Sequence, residues 1–293
     1  MVRGKSNIVQ VFDTKAGNVE QRKDYGAIFE SPIKGLHSIK GDAKANTLEG
    51  ALSGVKHVMV DQEGTCIIDS LASKAKPKGD NVFKVRGDNV VKTNLSESTN
   101  YLQVCSRDMT LQLWDLNAAK QGKSPLWQAR NLPDDELDIK VPIFDTGVTE
   151  CDPGVGRVLA TCTGYGEIRH YDIRAQRKAI SSSQVTKDKM LLSHIARSRI
   201  NEHHLYVVTQ EGHPIVVDRR LNCRVIRKMP GSKGSVRDIQ LIANNGVELL
   251  MTGGCDRHIR LFDHTQEGQK DCCIGSAYLK QKINCMLITD PHE

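Results

Sequence analysis

The chain has 293 residues, 39% of them apolar, and a net charge of +6 from 41 basic and 35 acidic residues. That apolar share excludes global disorder. The basic excess is too small for a dedicated nucleic-acid module but leaves room for an acidic partner, and 4% aromatics are too few for a base-stacking sheet.

In chain order, the first element is "SNIVQVFD", ending at Asp13. Residues 31–54, rich in Gly, Lys and Ala, read as an insertion. The hairpin "HVMVD", "QEG", "TCIID" follows and ends at Asp69. An apolar patch, "NVVKTNL", precedes a second hairpin that runs from "YLQVCS" to "LQLWD" at Asp115. Residues 118–140 read as a second insertion, with an acidic run at Asp134, Asp135, Glu136 and Asp138. The third hairpin joins "RVLATCT" through "GYG" to "EIRHYD" at Asp172, the fourth joins "LYVVT" to "PIVVD" at Asp218, and the fifth joins "ELLMTG" to "HIRLFD" at Asp263. The turns between the paired strands carry Gly or Asp, the residues that tight hairpins want.

Six aspartates thus close strands at 13, 69, 115, 172, 218 and 263, at intervals of 45 to 57 residues. A period of that size marks a repeat array. Softer outer strands follow the hairpins in "SPLWQARNL", "KAISSSQV", "VIRKMPG" and "CCIGSAYL". Further apolar patches, "KMLLSHIA" and "SVRDIQLI", precede the next hairpins. Four short strands per period predict an all-β, WD-type β-propeller with six blade-end repeats visible. The continuous apolar runs "YVV", "VLA", "ELLM" and "IVV" suit the inner strands, which neighbouring blades cover on both faces. Each blade-end aspartate is expected to cap the turn that follows it. Trp114 and Tyr171 are expected to pack between blades. "KINCMLIT" (282–289) is expected to be the inner strand of a further blade.

Chemical motifs are lacking. "GKS" at 4–6 and 122–124 has no glycine where a phosphate loop requires one, and "GVGR" at 154–157 follows no strand-to-helix unit. His203, His204 and His213 read as surface residues, and the acidic run as a solvated loop. The nine cysteines form no C-x-x-C and sit mostly in apolar runs, as reduced core residues of an intracellular protein do. No run reaches the ~18 apolar residues of a membrane helix, so a soluble protein without catalytic, cofactor or metal residues is expected.

Cations cluster after the blade ends: Arg174, Arg177 and Lys178, then Arg219 and Arg220, then Arg257 and Arg260. Three successive blades are expected to bring them to one face, where arginine suits phosphate or acidic-protein contacts; plain solvation of outer strands is the alternative.

"KVPIFDTGV" (140–148), "TCTGYGEIRHYDIRAQRKAI" (161–180), "KGSVRDIQ" (233–240), "GGCDRHIRLFD" (253–263) and "YLKQKINCMLI" (278–288) occur in this order. As a set they resemble the WD-repeat ribosome-assembly factors of the nucleolar pre-60S particle, the Nop-seven-associated propeller family. The resemblance covers roughly residues 100–288 and implies seven blades. It implies a non-catalytic scaffold for large-subunit assembly that binds assembly factors and pre-rRNA in the nucleolus. It also implies release by an AAA-type ATPase, and neither a membrane nor a small-molecule substrate. Residues 1–293 then form one propeller whose first blade is incomplete. The alternative is a propeller substrate receptor of a ubiquitin ligase or a chromatin-associated adaptor.

Overall fold

The structure, a computed structural model, describes residues 8–13, 18–25, 29, 31–39, 56–69, 82–87, 89–96, 99, 101–116, 124–134, 136–152, 156–220, 222–229, 234–244, 246–263 and 272–288. A short hairpin comes first: β1 (Ile8–Asp13) pairs with β2 (Asn18–Asp24). Five four-stranded antiparallel sheets then follow in strict chain order. The first holds β3 (Ile33–Ile39), β4 (Lys56–Asp61), β5 (Thr65–Asp69) and β6 (Val82–Lys84). The second holds β7 (Val90–Leu95), β8 (Tyr101–Ser106), β9 (Gln112–Asp115) and β10 (Trp127–Gln128). The third holds β11 (Asp145–Glu150), β12 (Val158–Thr163), β13 (Glu167–Asp172) and β14 (Ser181–Gln184). The fourth holds β15 (Leu192–Arg197), β16 (His204–Thr209), β17 (Pro214–Asp218) and β18 (Arg224–Lys228). The fifth holds β19 (Val236–Asn244), β20 (Val247–Gly254), β21 (His258–Asp263) and β22 (Cys273–Tyr278).

The first strands β3, β7, β11, β15 and β19 neighbour one another in sequence around an axis. The fold is therefore a β-propeller, but the described residues form five blades, not the seven of the resemblance or the six of the repeat. The physical reason lies in Asp13. It ends β1, whose only strand partner among the described residues is β2, so this repeat contributes half a sheet.

Two other expectations need correction. Residues 33–39, read as part of an insertion, are the axial strand β3; residues 40–54 lie outside the described residues. The continuous apolar runs fall on the second and third strands of the blades, not on the axial ones. Neighbouring blades cover β16 and β17 so fully that ten of their eleven residues are buried. Most of the core sits there, between blades. One cluster joins Val58, Val60, Ile68 and Phe83 of the first blade to Leu102, Val104 and Trp114 of the second. Another joins Leu111 and Leu113 to Val148, Leu159 and Tyr171. Trp114 and Tyr171, at 4% and 2% exposure, pack between blades as expected. Trp127 meets Tyr171 edge-on, with centroids 6.0 Å apart.

The segment 282–288 is not a strand. Its buried residues are Ile283 and Met286, spaced by three rather than two. Its polar groups are met without a ladder: Met286 N–H donates to the Asp238 carboxylate, Gln240 Nε2 donates to Met286 O at 3.0 Å, and Ile283 N–H donates to Gly254 O at 3.4 Å. Cys285 packs on a cluster of Val9, Tyr25, Phe29, Ile33, Met59 and Ile67. The segment thus wedges the last blade against the first.

All nine cysteines are free, six of them buried. Burial pushes the Cys151 thiol up to about 11 and the Cys162 thiol up to about 12, so both stay protonated near neutral pH.

Candidate binding surface

An antiparallel meander puts the turns between second and third strands at one end of the propeller. The connections between third and fourth strands lie at the other. The aspartate caps organise this second end. Asp172 Oδ1 accepts the Arg174 N–H at 2.9 Å, and Asp218 Oδ1 accepts the Arg220 N–H at 2.9 Å. Each tightens the chain just where the cations follow, as an Asx turn does.

The structure separates the predicted cations. Arg174, Arg177, Lys178, Arg219 and Arg220 lie together at the end beyond β13 and β17. Arg257 lies in the β20–β21 turn, at the opposite end, and adopts a left-handed conformation with φ 64°. Arg260, inside β21, pairs with Asp256. Three blades therefore do not present equivalent cations on one face; two do.

Most of the five are committed to holding the fold. Arg177 Nε donates to Gln128 O at 2.7 Å, and its own carbonyl accepts the Arg130 N–H at 2.7 Å, so it ties the third blade to the outer edge of the second. Arg219 Nη1 donates to Cys151 O at 3.1 Å, bridging from the fourth blade to the third. Arg220 closes on Asp218, Nη2 to Oδ2 at 3.0 Å, and holds that carboxyl below its usual range. Arg174 and Lys178 are exposed, and among the described residues neither forms an ion pair.

The sequence reading missed Arg157. It is exposed, and its carbonyl accepts the Ile173 N–H at 3.0 Å, which sets it beside Arg174. Only the pairing of β12 with β13 brings residues 157 and 174 together. A cleft of about 350 Å³ on the rim, lined by Arg86, Leu126, Trp127, Gln128 and Arg177, adjoins this surface.

Nothing in the described residues suggests metal chemistry, since no group of three or more His, Cys, Asp or Glu is placed to hold an ion. His203 and His213 lie within 4 Å of Glu202 and Glu211 respectively, at partly exposed positions. Among the described residues no helix is long and apolar enough to cross a membrane.

No family model matches the chain. Curated relatives do. The mouse WD repeat-containing protein 74 is 30% identical over 195 residues, 65% of this chain and 46% of the relative. The cattle protein of the same name is 26% identical over 96% of this chain and 66% of its own length. Ribosome biogenesis protein NSA1 of Yarrowia lipolytica is 26% identical over 63% of this chain and 48% of its own length. The chain thus spans about half the length of several of the relatives it matches. The resemblance to WD-repeat ribosome-assembly factors is borne out by relatives that carry those names. Among solved structures, Chaetomium thermophilum Raptor aligns with 96% of this chain and 24% of its own, with a TM-score of 0.67 and 14% identity. That likeness concerns the fold alone.

Proposed function

We propose that this chain is a non-catalytic WD-repeat platform in ribosome assembly, acting on precursors of the large subunit in the nucleolus, where it binds assembly factors and pre-rRNA. The observation that supports this most is the run of fungal relatives named for ribosome biogenesis, alongside mammalian relatives named WD repeat-containing protein 74. The exposed cations Arg157, Arg174 and Lys178 are where an acidic partner would be met. Counterion release then makes affinity fall by about 0.9 log unit per tenfold rise in salt for each duplex phosphate contacted. Release by an AAA-type ATPase belongs to the same proposal. Nothing in the fold or the relatives favours a ubiquitin-ligase receptor or a chromatin adaptor.

The test is sedimentation of the tagged protein with Arg174→Glu and Lys178→Glu together, alongside its circular dichroism. Both side chains are exposed and form no ion pair among the described residues, so the fold is expected to be kept and co-migration with large-subunit precursors weakened. A folded variant that co-migrates normally would remove these residues from the interface. Wild-type protein that never meets large-subunit precursors would overturn the function itself.

A further inference from the structure

Every axial strand carries a β-bulge at the same level. The register breaks between Ile33 and Gly35, Val90 and Lys92, Asp145 and Gly147, Leu192 and His194, and Val236 and Asp238. The residues passed over are Lys34, Val91, Thr146, Ser193 and Arg237. Each lies near the start of its strand, at the end of the propeller that holds the turns between second and third strands. Bulges re-aim side chains and recur beside functional sites. Here they form a collar at one mouth of the axial channel. Three of the sequence stretches that carry the family resemblance, "KVPIFDTGV", "KGSVRDIQ" and "YLKQKINCMLI", run through the collar or the wedge beside it.

The collar has an unbalanced charge. Lys92 donates to Asp238, whose carboxylate also accepts the backbone N–H groups of Ile239 and Met286. That carboxylate already serves three donors. Lys34, half-buried, and Arg237, exposed, have no carboxylate at ion-pair distance among the described residues; Arg237 Nε donates only to the Cys255 thiol, at 3.2 Å. The nearby Asp61 Oδ1 is taken by the N–H groups of Glu63 and Thr65. His194 faces the same place, 8% exposed, with Nδ1 buried and without a partner. Burial and the like charges of Arg237 and Lys92 lower the Lys34 ammonium from its usual range, and burial together with Lys92, Arg237 and Lys34 keeps His194 neutral. The cations repel one another across the mouth, and an incoming anion would relieve that repulsion.

We infer that this channel mouth is a docking site for an acidic side chain of a partner protein, held by Lys34 and Arg237 with His194 as a further hydrogen-bonding group. Asp238 is the pattern for it: a carboxylate, at this same level, satisfied by a lysine and main-chain donors. The Lys92–Asp238 pair bridges β7 and β19 at this level, so the opening there is no wider than a lysine side chain spans, which excludes a nucleic-acid duplex but not a single carboxylate. The site lies at the opposite end from Arg174 and Lys178, so it goes beyond the function proposed above and can fail without it.

The test is fluorescence anisotropy with a labelled hexaglutamate peptide and, separately, labelled hexauridylate. Both are titrated against wild-type protein, Lys34→Met, Arg237→Gln, and Arg174→Glu with Lys178→Glu. Hexaglutamate should bind the wild type, and each collar substitution should weaken it by about tenfold, the worth of one charge-assisted hydrogen bond. The Arg174/Lys178 variant should leave hexaglutamate binding unchanged. Removing either collar cation should also leave the thermal midpoint equal or higher, because a repulsion is lost. Hexaglutamate binding that ignores the collar substitutions overturns the inference. So does hexauridylate binding that depends on Lys34 and Arg237 in preference to the peptide, which would make the mouth a nucleotide site. Arg237 is exposed, so its substitution tests the site even if Lys34→Met misfolds.

Discussion

Lys92 on β7 and Asp238 on β19 form an ion pair that joins the second blade to the fifth, 146 residues apart in the chain. Neither blade is the other's sequence neighbour, so the pair fastens the two sides of the axial channel. Asp238 also receives the Met286 N–H, so one carboxylate ties together two blades and the C-terminal wedge.

Substituting Asp238 by Ala should therefore be severe. It leaves a mostly buried ammonium and two backbone donors unpaired, and breaking a buried pair from one side costs about 3–5 kcal/mol. Lys92→Met should cost much less, because Asp238 keeps its two N–H donors. Urea denaturation of both variants checks the asymmetry; equal losses would contradict it.

Trp114→Ala should lose about 3–5 kcal/mol, as large core aromatics do. The side chain fills the space between the first two blades, and its Nε1 donates to Gln112 Oε1 at 2.9 Å. An unchanged denaturation midpoint would show that this packing contributes nothing.

Gly253 faces the wedge. A Cβ there would meet Met286 Sδ at 2.6 Å and Ile283 Cδ1 at 3.0 Å. Gly253→Ala should cost about 1–3 kcal/mol through overpacking. The same substitution in a Met286→Ala background should cost clearly less, because the colliding sulfur is gone. A double-mutant cycle on thermal midpoints reads the difference, and strict additivity would place the wedge elsewhere.

Two titratable groups, His37 and Asp145, give opposite responses to acid. His37, whose Nε2 shares a hydrogen bond with Thr93 Oγ1 at 2.9 Å, is pushed by burial down to about 3. It stays neutral in the fold while the unfolded chain takes up a proton near 6.5, so its contribution is present above that pH and is lost as pH falls from there towards 3. Asp145 is pushed by burial up to about 6, with Arg169 opposing. The folded state then holds a proton that the unfolded chain releases near 3.8, so relative stability is gained as pH falls through 6. Asp145→Asn should consequently lose about 1–3 kcal/mol more than the wild type between pH 7 and pH 4.5. His37→Gln should lose less than the wild type over the same range. Denaturation midpoints at the two pH values decide each sign.

The bracing arginine and the free one should behave differently. Arg177→Ala removes the hydrogen bond to Gln128 O and should cost about 1 kcal/mol. Arg174→Ala should stay within about 0.5 kcal/mol of the wild type, as exposed substitutions do. Comparable losses in calorimetry would mean that both side chains hold the blade.

Local features were legible in the sequence because they depend on neighbours in the chain. The hairpins around "GYG" and "QEG", the outer strands, and the burial of Trp114 and Tyr171 follow from strand period, turn residues and apolar runs. The capping role of Asp172 and Asp218 follows from an acceptor placed two residues before the N–H it holds. The rest was decided by contacts between distant residues. An aspartate at the end of a strand, such as Asp13, says nothing about how many partner strands will gather beside it. Apolar residues 283–288 could have paired as a strand, but the Asp238 carboxylate and the gap between the last and first blades gave them another way to satisfy their backbone and bury their side chains. The fate of each arginine depended on what stood opposite it. Arg177 and Arg219 met carbonyls of the preceding blade and became braces, while Lys34 and Arg237 ended at the same level of the first and fifth blades with no carboxylate at ion-pair distance among the described residues. A one-dimensional pattern carries the period of a propeller, whereas the charge along its axis exists only once the blades have closed around it.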